Sequence, residues 1–260
     1  MIKIDQALCN FCGECARICE AKDIEITDKC AIPLNINCSE CGHCYAICPP
    51  KAIEIIGYNN KGLKEYKSDC FDIDPLTLLN FMQFRRSTRS FLPQKVEREK
   101  INLLLEAGRY SPTACNYQKL RYVVVNNDMG KVRDMLWDGA AIYAKRDGDD
   151  YLLERYKEYL ESNKTVDALL YDCSQLIFIL APEENDACIA SSRIELLANS
   201  LGLGALYLGY AKLAVEASIN LQNYLGEDNE SKTQVVIAIG YPNIKWHRIV
   251  PRKPLNVIFK

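Results

Sequence analysis

Eight cysteines constrain this chain more than any other feature of it. They stand in two runs of one spacing, Cys9-x2-Cys12-x2-Cys15-x3-Cys19 and Cys38-x2-Cys41-x2-Cys44-x3-Cys48, the second followed by Pro49. Every cysteine of the first run has its counterpart 29 positions on. The segment behind each run repeats as well: Asp23-Ile24-Glu25-Ile26 lines up with Ala52-Ile53-Glu54-Ile55. The repeat predicts a duplicated unit of cysteine loop, helical turn and short strand, paired about a pseudo-two-fold axis. A unit of that size has little apolar core, so its cysteines are expected to supply cross-links.

Three chemistries compete for such cysteines. Structural zinc takes two separated cysteine pairs around one tetrahedral ion, and three cysteines within seven residues crowd a single ion. Disulfides require an oxidising compartment, and no secretory signal pattern stands before Cys9. The third chemistry fits the spacing: the runs resemble those of bacterial ferredoxins that carry two 4Fe–4S clusters. The resemblance implies that the fourth cysteine of each run ligates the other cluster. Cys9, Cys12, Cys15 and Cys48 would then hold one cluster, and Cys38, Cys41, Cys44 and Cys19 the other. Glu20 stands where the first run would carry proline, which alters a turn but removes no ligand. Cys30, Cys70, Cys115, Cys173 and Cys188 fit neither run and read as small buried hydrophobes.

The chain extends some 200 residues past the second run, enough for two domains within its 260 residues. Apolar residues make up 48% and charged residues 25%, as in an ordinary globular protein. Residues 1–60 hold 5 Lys+Arg against 8 Asp+Glu, so this part carries −3 of a total −2. An acidic electron-carrying part argues against nucleic-acid binding, which wants basic patches. It suits docking on a basic redox partner, such as a ferredoxin-type donor. No apolar run reaches the length of a membrane span. The best candidate, residues 201–211, is short and ends at Lys212. A cytoplasmic protein is expected.

The organisation follows from turn and helix signals. The cysteine-rich part ends near Ile56, and residues 57–62 form a polar, turn-rich linker. Domains are therefore placed at 1–62 and 63–260. Asp74-Pro75 starts a helix, with Asp as cap and Pro in the first turn, and Leu76, Leu79 and Met82 follow at helical spacing. Further helices are predicted near 96–107, 132–145 and 187–201, and buried strands at 121–126, 176–181 and 234–240. Residues 145–167 alternate in charge with Tyr151, Tyr156 and Tyr159 interleaved, which reads as a solvated helical pair. Helices alternating with few strands predict a mixed layer structure.

Four segments of the longer part carry a second pattern. Arg85-Arg86-Ser87-Thr88-Arg89 puts three planar cationic forks and two hydroxyls behind a helix. Ser111-Pro112-Thr113-Ala114-Cys115-Asn116-Tyr117-Gln118 is a turn of small residues before a strand. Leu201-Gly202-Leu203-Gly204-Ala205-Leu206-Tyr207-Leu208-Gly209 follows a helix and so is not a dinucleotide fingerprint, which follows a strand. Val250-Pro251-Arg252-Lys253-Pro254 lies near the end. In this order and spacing the segments resemble the FMN-dependent nitroreductase family over about residues 75–260.

That resemblance implies an α+β fold with a central, mainly antiparallel sheet. FMN would lie at the interface of a homodimer. Arg85, Arg86, Ser87 and Arg89 would hold its phosphate, ribityl chain and pyrimidine edge. Pro112, Thr113, Ala114 and Asn116 would reach the flavin of the other subunit. Leu208 and Gly209 would present backbone to the ring, with the Gly209 N–H near N5. Arg252 and Lys253 would return to the phosphate, and a tail with Val257 and Phe259 would cross to the partner. No catalytic side chain is singled out, and the two histidines, His43 and His247, support no hydrolytic site. The expected activity is an oxidoreductase fed through two 4Fe–4S clusters, acting on a small electron-poor acceptor: a nitroaromatic, quinone or activated alkene. The alternative is a redox sensor or electron carrier that turns over no organic substrate.

Overall fold

The 29-residue repeat of the sequence is also a repeat of the backbone. The computed structural model describes residues 1–28, 30–60 and 63–260. Lys61 and Gly62, the end of the sequence-proposed linker, lie outside the described residues, as does the side chain of Cys70. One compact unit comprises Met1–Asp72 with Ala114–Tyr117, and a second comprises Ile73–Thr113 with Gln118–Lys260.

The first unit runs β1 (Ile2–Ile4), α1 (Glu14–Ile18), β2 (Ile24–Ile26), β3 (Ala31–Pro33), α2 (His43–Ile47), β4 (Ile53–Ile55) and a short α3 (Ser68–Phe71). Moving the first three elements along by 29 gives the next three. The halves exchange strands: β1 pairs antiparallel with β4, Ile2 facing Ile55, and β2 with β3, Ile26 facing Ala31. The period of two in each strand turns Ile2, Ile4, Ile24, Ile53 and Ile55 to one small core, which Cys15 and Cys44 join. Left-handed backbone recurs at matched positions: Phe11 and Glu40, Gly13 and Gly42, Lys22 and Lys51. Gly13 and Gly42 both take φ +76° at the starts of α1 and α2, a conformation that strains any residue with a Cβ.

The second unit opens with α4 (Pro75–Phe84) and α5 (Arg98–Arg109), then β5 (Arg121–Val125), α6 (Met129–Asp147), α7 (Asp150–Glu161) and β6 (Gln175–Ala181). It continues through α8 (Glu184–Ser200), β7 (Gly204–Tyr207), α9 (Gly209–Ala217), α10 (Ile219–Leu225) and β8 (Lys232–Gly240). The strands form one sheet in the order β5-β6-β8-β7, with every neighbouring pair antiparallel. All of β6 is buried, because its two faces meet separate cores. Leu176, Phe178 and Leu180 pack with Leu136 and Trp137 of α6 and Ala211 and Ala214 of α9. Ile177 and Ile179 pack with Leu104 of α5 and Ile194 of α8. Helices thus cover both faces of an antiparallel sheet, and β6 reads as an unbroken apolar run instead of an alternating one. Among the described residues no helix is long and apolar enough to cross a membrane.

Local signals were followed closely at α4, where the Asp74 carboxylate accepts from the Thr77 N–H at 2.7 Å. The charged stretch covers the end of α6, all of α7 and the turn after it, broken at Gly148, with Arg155–Glu158 and Lys157–Glu161 ion pairs of 2.8 and 3.6 Å on the second helix; Tyr159 and Asp167 of this stretch are buried and not solvated. One strand was missing from the sequence expectation, and Cys115 and Cys188, read there as buried, are exposed. Residues 204–207, for which no strand was predicted, form the edge strand β7. Four residues are too few to show a period, and it is pairing with β8, from Gly204↔Gly240 to Tyr207↔Ile237, that makes them a strand. The tail after Gly240 contains no helix or strand, and Leu255, Ile258 and Phe259 are exposed.

Candidate functional site

Two groups of candidate functional residues arise, one in each unit. In the first, Cys9, Cys12, Cys15 and Cys48 line one open, shallow hollow together with Phe11, Ala31 and Ile53. Three of these cysteines come from the first run and the fourth from the second. Burial pushes the Cys15 thiol up, and the nearby Cys48 and Cys9 add to the shift. Burial likewise pushes the Cys44 thiol up to about 11, with Cys41, Cys38 and Cys15 adding to it. Crowded, partly buried thiolates repel one another, and a bound cation offsets that repulsion. The Asp23 N–H donates to Cys19 Sγ and the Ala52 N–H to Cys48 Sγ, each at 3.3 Å. Among the described residues no three His, Cys, Asp or Glu side chains converge as a single ion would require. A 4Fe–4S cube makes a different demand, since its thiolates sit on separate irons.

In the second unit the arginine segment lies along the free edge of the sheet. Arg85 ends α4 with extended backbone. Ser87 then bridges Ala205 in parallel, and the Thr88 N–H donates to the Ala205 carbonyl at 3.0 Å. Thr88 is buried against Gly204, where an added Cβ would fall 2.5 Å from its hydroxyl. Glycine there is a condition of the close approach. Arg85 and Arg86 line an open pocket with Glu195 and Asn199 of α8, residues 202–205, Pro242 and Trp246.

The Arg85 guanidinium pairs with the Glu195 carboxylate; their side chains are 27% and 8% exposed. Burial pushes the Glu195 carboxyl up, while Arg85 and the Tyr207 hydroxyl oppose that shift. Burial raises the Tyr207 hydroxyl to about 12. Tyr207 ends β7, and the next residues are Leu208 and Gly209. The Leu208 N–H is committed to the Val236 carbonyl at 2.9 Å. Gly209 opens α9, with nothing within 4 Å of the space a Cβ would occupy. Its N–H belongs to the first turn of the helix, where donors lack helical partners.

Of the residues singled out in the sequence, Arg85 and Arg86 share a pocket, Ser87 is placed beside it, and Leu208 and Gly209 continue the strand that forms one wall. Arg89, Pro112, Thr113, Arg252 and Lys253 do not line that pocket. The 111–118 turn is left-handed at Cys115, Asn116 and Gln118 and is closed by the Gln118 N–H on Thr113 Oγ1 at 2.9 Å. Ala114 and Asn116 group with the first unit. Glu195, Asn199 and Trp246 were not foreseen. An acidic residue in a mixed helix ordinarily reads as surface.

An antiparallel sheet between helical layers, with an arginine-bearing segment docked on its edge, defines the class: an α+β protein with a pocket lined by two arginines. A model of the nitroreductase family matches residues 82–241. The chain belongs to the nitroreductase family, and so to the oxidoreductases. Similar solved structures include a nitroreductase with bound FMN from Bacteroides fragilis, 21% identical, covering 70% of this chain and 98% of that one at a TM-score of 0.58. Another is a nitroreductase with bound FMN from Desulfitobacterium hafniense, 23% identical, covering 69% and 97% at 0.55. A third is an FMN-dependent nitroreductase from Clostridium difficile, 19% identical, covering 69% and 98% at 0.51. At these identities the likeness is one of fold. A comparison with curated proteins finds no match.

Proposed function

We propose that the protein is a cytoplasmic, homodimeric, FMN-dependent oxidoreductase that receives electrons through two 4Fe–4S clusters and reduces a small electron-poor acceptor. Nitroaromatics, quinones and activated alkenes are the acceptor classes. The observation that carries the flavin reading is the meeting of Arg85 and Arg86 with the edge strand that runs on to Gly209. The donor set fits FMN: two guanidinium forks suit a phosphate, close backbone suits a flat ring, and a free helix-start N–H suits an electron-rich ring atom. The cysteine geometry supports the cluster reading, because Cys48 stands with Cys9, Cys12 and Cys15 around one hollow.

When bound, the clusters supply one-electron carriers and FMN supplies the two-electron and hydride chemistry. Arg85 and Arg86 would anchor the cofactor, with Ser87 and Arg89 beside them. Leu208 and Gly209 would face the ring. Pro112, Thr113, Ala114 and Asn116 would reach the flavin of the other subunit, and Arg252 and Lys253, which do not line the pocket of one chain, would return to the phosphate. A homodimer is supported by apolar surface without cover. No residue of α4 is buried, and Leu76, Leu79 and Met82 are exposed together with Leu255, Ile258 and Phe259 of the tail.

Two tests follow. Anaerobically purified protein is expected to contain about eight irons and one FMN per chain; clusters without flavin would sink the flavin reading. Arg86→Ala is expected to lose FMN by about tenfold or more in affinity, the order of one charge-assisted contact, with the iron content unchanged. Unaltered FMN occupancy in that variant would mean the pocket is not the flavin site. Removal of residues 244–260 is expected to give a monomer in sedimentation, and a dimer of full strength would exclude the tail from the interface.

A further inference from the structure

Glu195 is an outlier on its helix. The other buried residues of α8 are mostly small or apolar: Ala187, Ala190, Ser191, Ile194 and Ala198, with Asp186 at the first turn. A buried carboxylate is costly unless it is paired, and this one is paired with Arg85, 110 positions away in the chain. Removing an ion pair in favour of apolar packing is often neutral or stabilising, so the pair is weak evidence for a purely stabilising role. The contact uses Nη1 of Arg85. A guanidinium offers five donors in a planar fork, so one edge can be fixed while another stays open, and 27% of the Arg85 side chain remains exposed.

We propose that Glu195 is a positioning residue of the flavin site: it holds one edge of Arg85 so that the free edge is presented to the FMN phosphate. This inference rests on the flavin reading above. Tyr207, at the end of the strand that leads into Gly209, is close enough to oppose the upward shift of the Glu195 carboxyl, but the hydrogen bond that holds Glu195 is the one to Arg85. The pocket still keeps a net positive charge for a phosphate, because Arg86 shares it and Glu195 neutralises only one of the two arginines. An arginine without this anchor would have to be ordered by the ligand itself, which weakens binding.

The test uses the full chain freed of flavin and measures binding by quenching of flavin fluorescence. Glu195→Ala is expected to weaken FMN about tenfold, equal to ~1.4 kcal/mol. Riboflavin, which lacks the phosphate, is expected to bind it as it binds the parent. Glu195→Gln keeps an oxygen that accepts from Arg85 and is expected to stay within about threefold of the parent. The Arg85→Ala/Glu195→Ala pair removes both buried charges and so avoids an orphaned one. It is expected to bind FMN no more weakly than Arg85→Ala alone, since a residue acting through Arg85 has nothing left to act on. Parent-like FMN binding by Glu195→Ala overturns the proposal, and so does an equal loss of riboflavin. A double variant clearly weaker than Arg85→Ala overturns it as well. Failure of the parent to bind FMN at all would instead overturn the flavin reading.

Discussion

The Cys12→Ser/Cys48→Ser double variant is expected to retain about four irons per chain, while Cys12→Ser/Cys19→Ser is expected to retain almost none. The pairing in space decides this. Cys12 and Cys48 are 36 positions apart, yet they line one hollow with Cys9 and Cys15. They would then belong to one cluster, and removing both costs no more than removing either. Cys12 and Cys19 are seven positions apart in one run, but under cross-ligation they serve different clusters, and their joint loss empties both. If each run built its own cluster, the two results would be exchanged. An iron assay with spectra of the reduced protein separates the cases. Transfer from a ferredoxin-type donor is expected to stop in Cys12→Ser alone. FMN should remain bound, because every residue lining the arginine pocket lies in the second unit. Persistent reduction through such donors would remove the clusters from the route.

Legibility in the sequence followed the range of the interactions. Ligand spacing is local, so the cysteine runs could be seen at once, and the swap of strands between halves follows from a repeat that each half cannot satisfy alone. β6 was legible because burial on both faces leaves seven successive residues without a charge. The arginine motif was legible as a pattern of types, and Asp74-Pro75 as a cap. β7 was hidden because its strand character comes from β8, some thirty residues further on. Glu195 was hidden for the same reason in stronger form. Nothing near it in the chain reveals that Arg85 will lie against it, and only the docking of residues 85–88 on the sheet edge brings the two together. The glycine-rich stretch was seen as a place where backbone comes close. Its partner in that approach, Thr88, could not be named from sequence.

The same approach sets the second large effect. Gly204→Ala is expected to destabilise the second unit by about 1–3 kcal/mol, the usual range for overpacking a close contact, and to lower FMN occupancy with iron retained. The new methyl would stand 2.5 to 2.7 Å from three side-chain atoms of Thr88. Thr88 cannot swing clear, since it is 2% exposed and its N–H is tied to Ala205. Relief must come from lifting residues 85–88 off the strand, which carries Arg85 and Arg86 out of the pocket. An opposing gain exists: alanine restricts the unfolded chain and contributes about 0.4–1 kcal/mol where the native backbone suits it. The overpacking exceeds that gain. Gly130→Ala isolates the gain alone, because Gly130 lies in α6 with nothing within 4 Å of the added carbon. This control is expected to hold or raise the melting temperature and to leave FMN bound. Thermal unfolding together with flavin content measures both variants. If Gly204→Ala behaves like Gly130→Ala, the arginine segment is not held by its fit against the strand, and the pocket must be organised some other way.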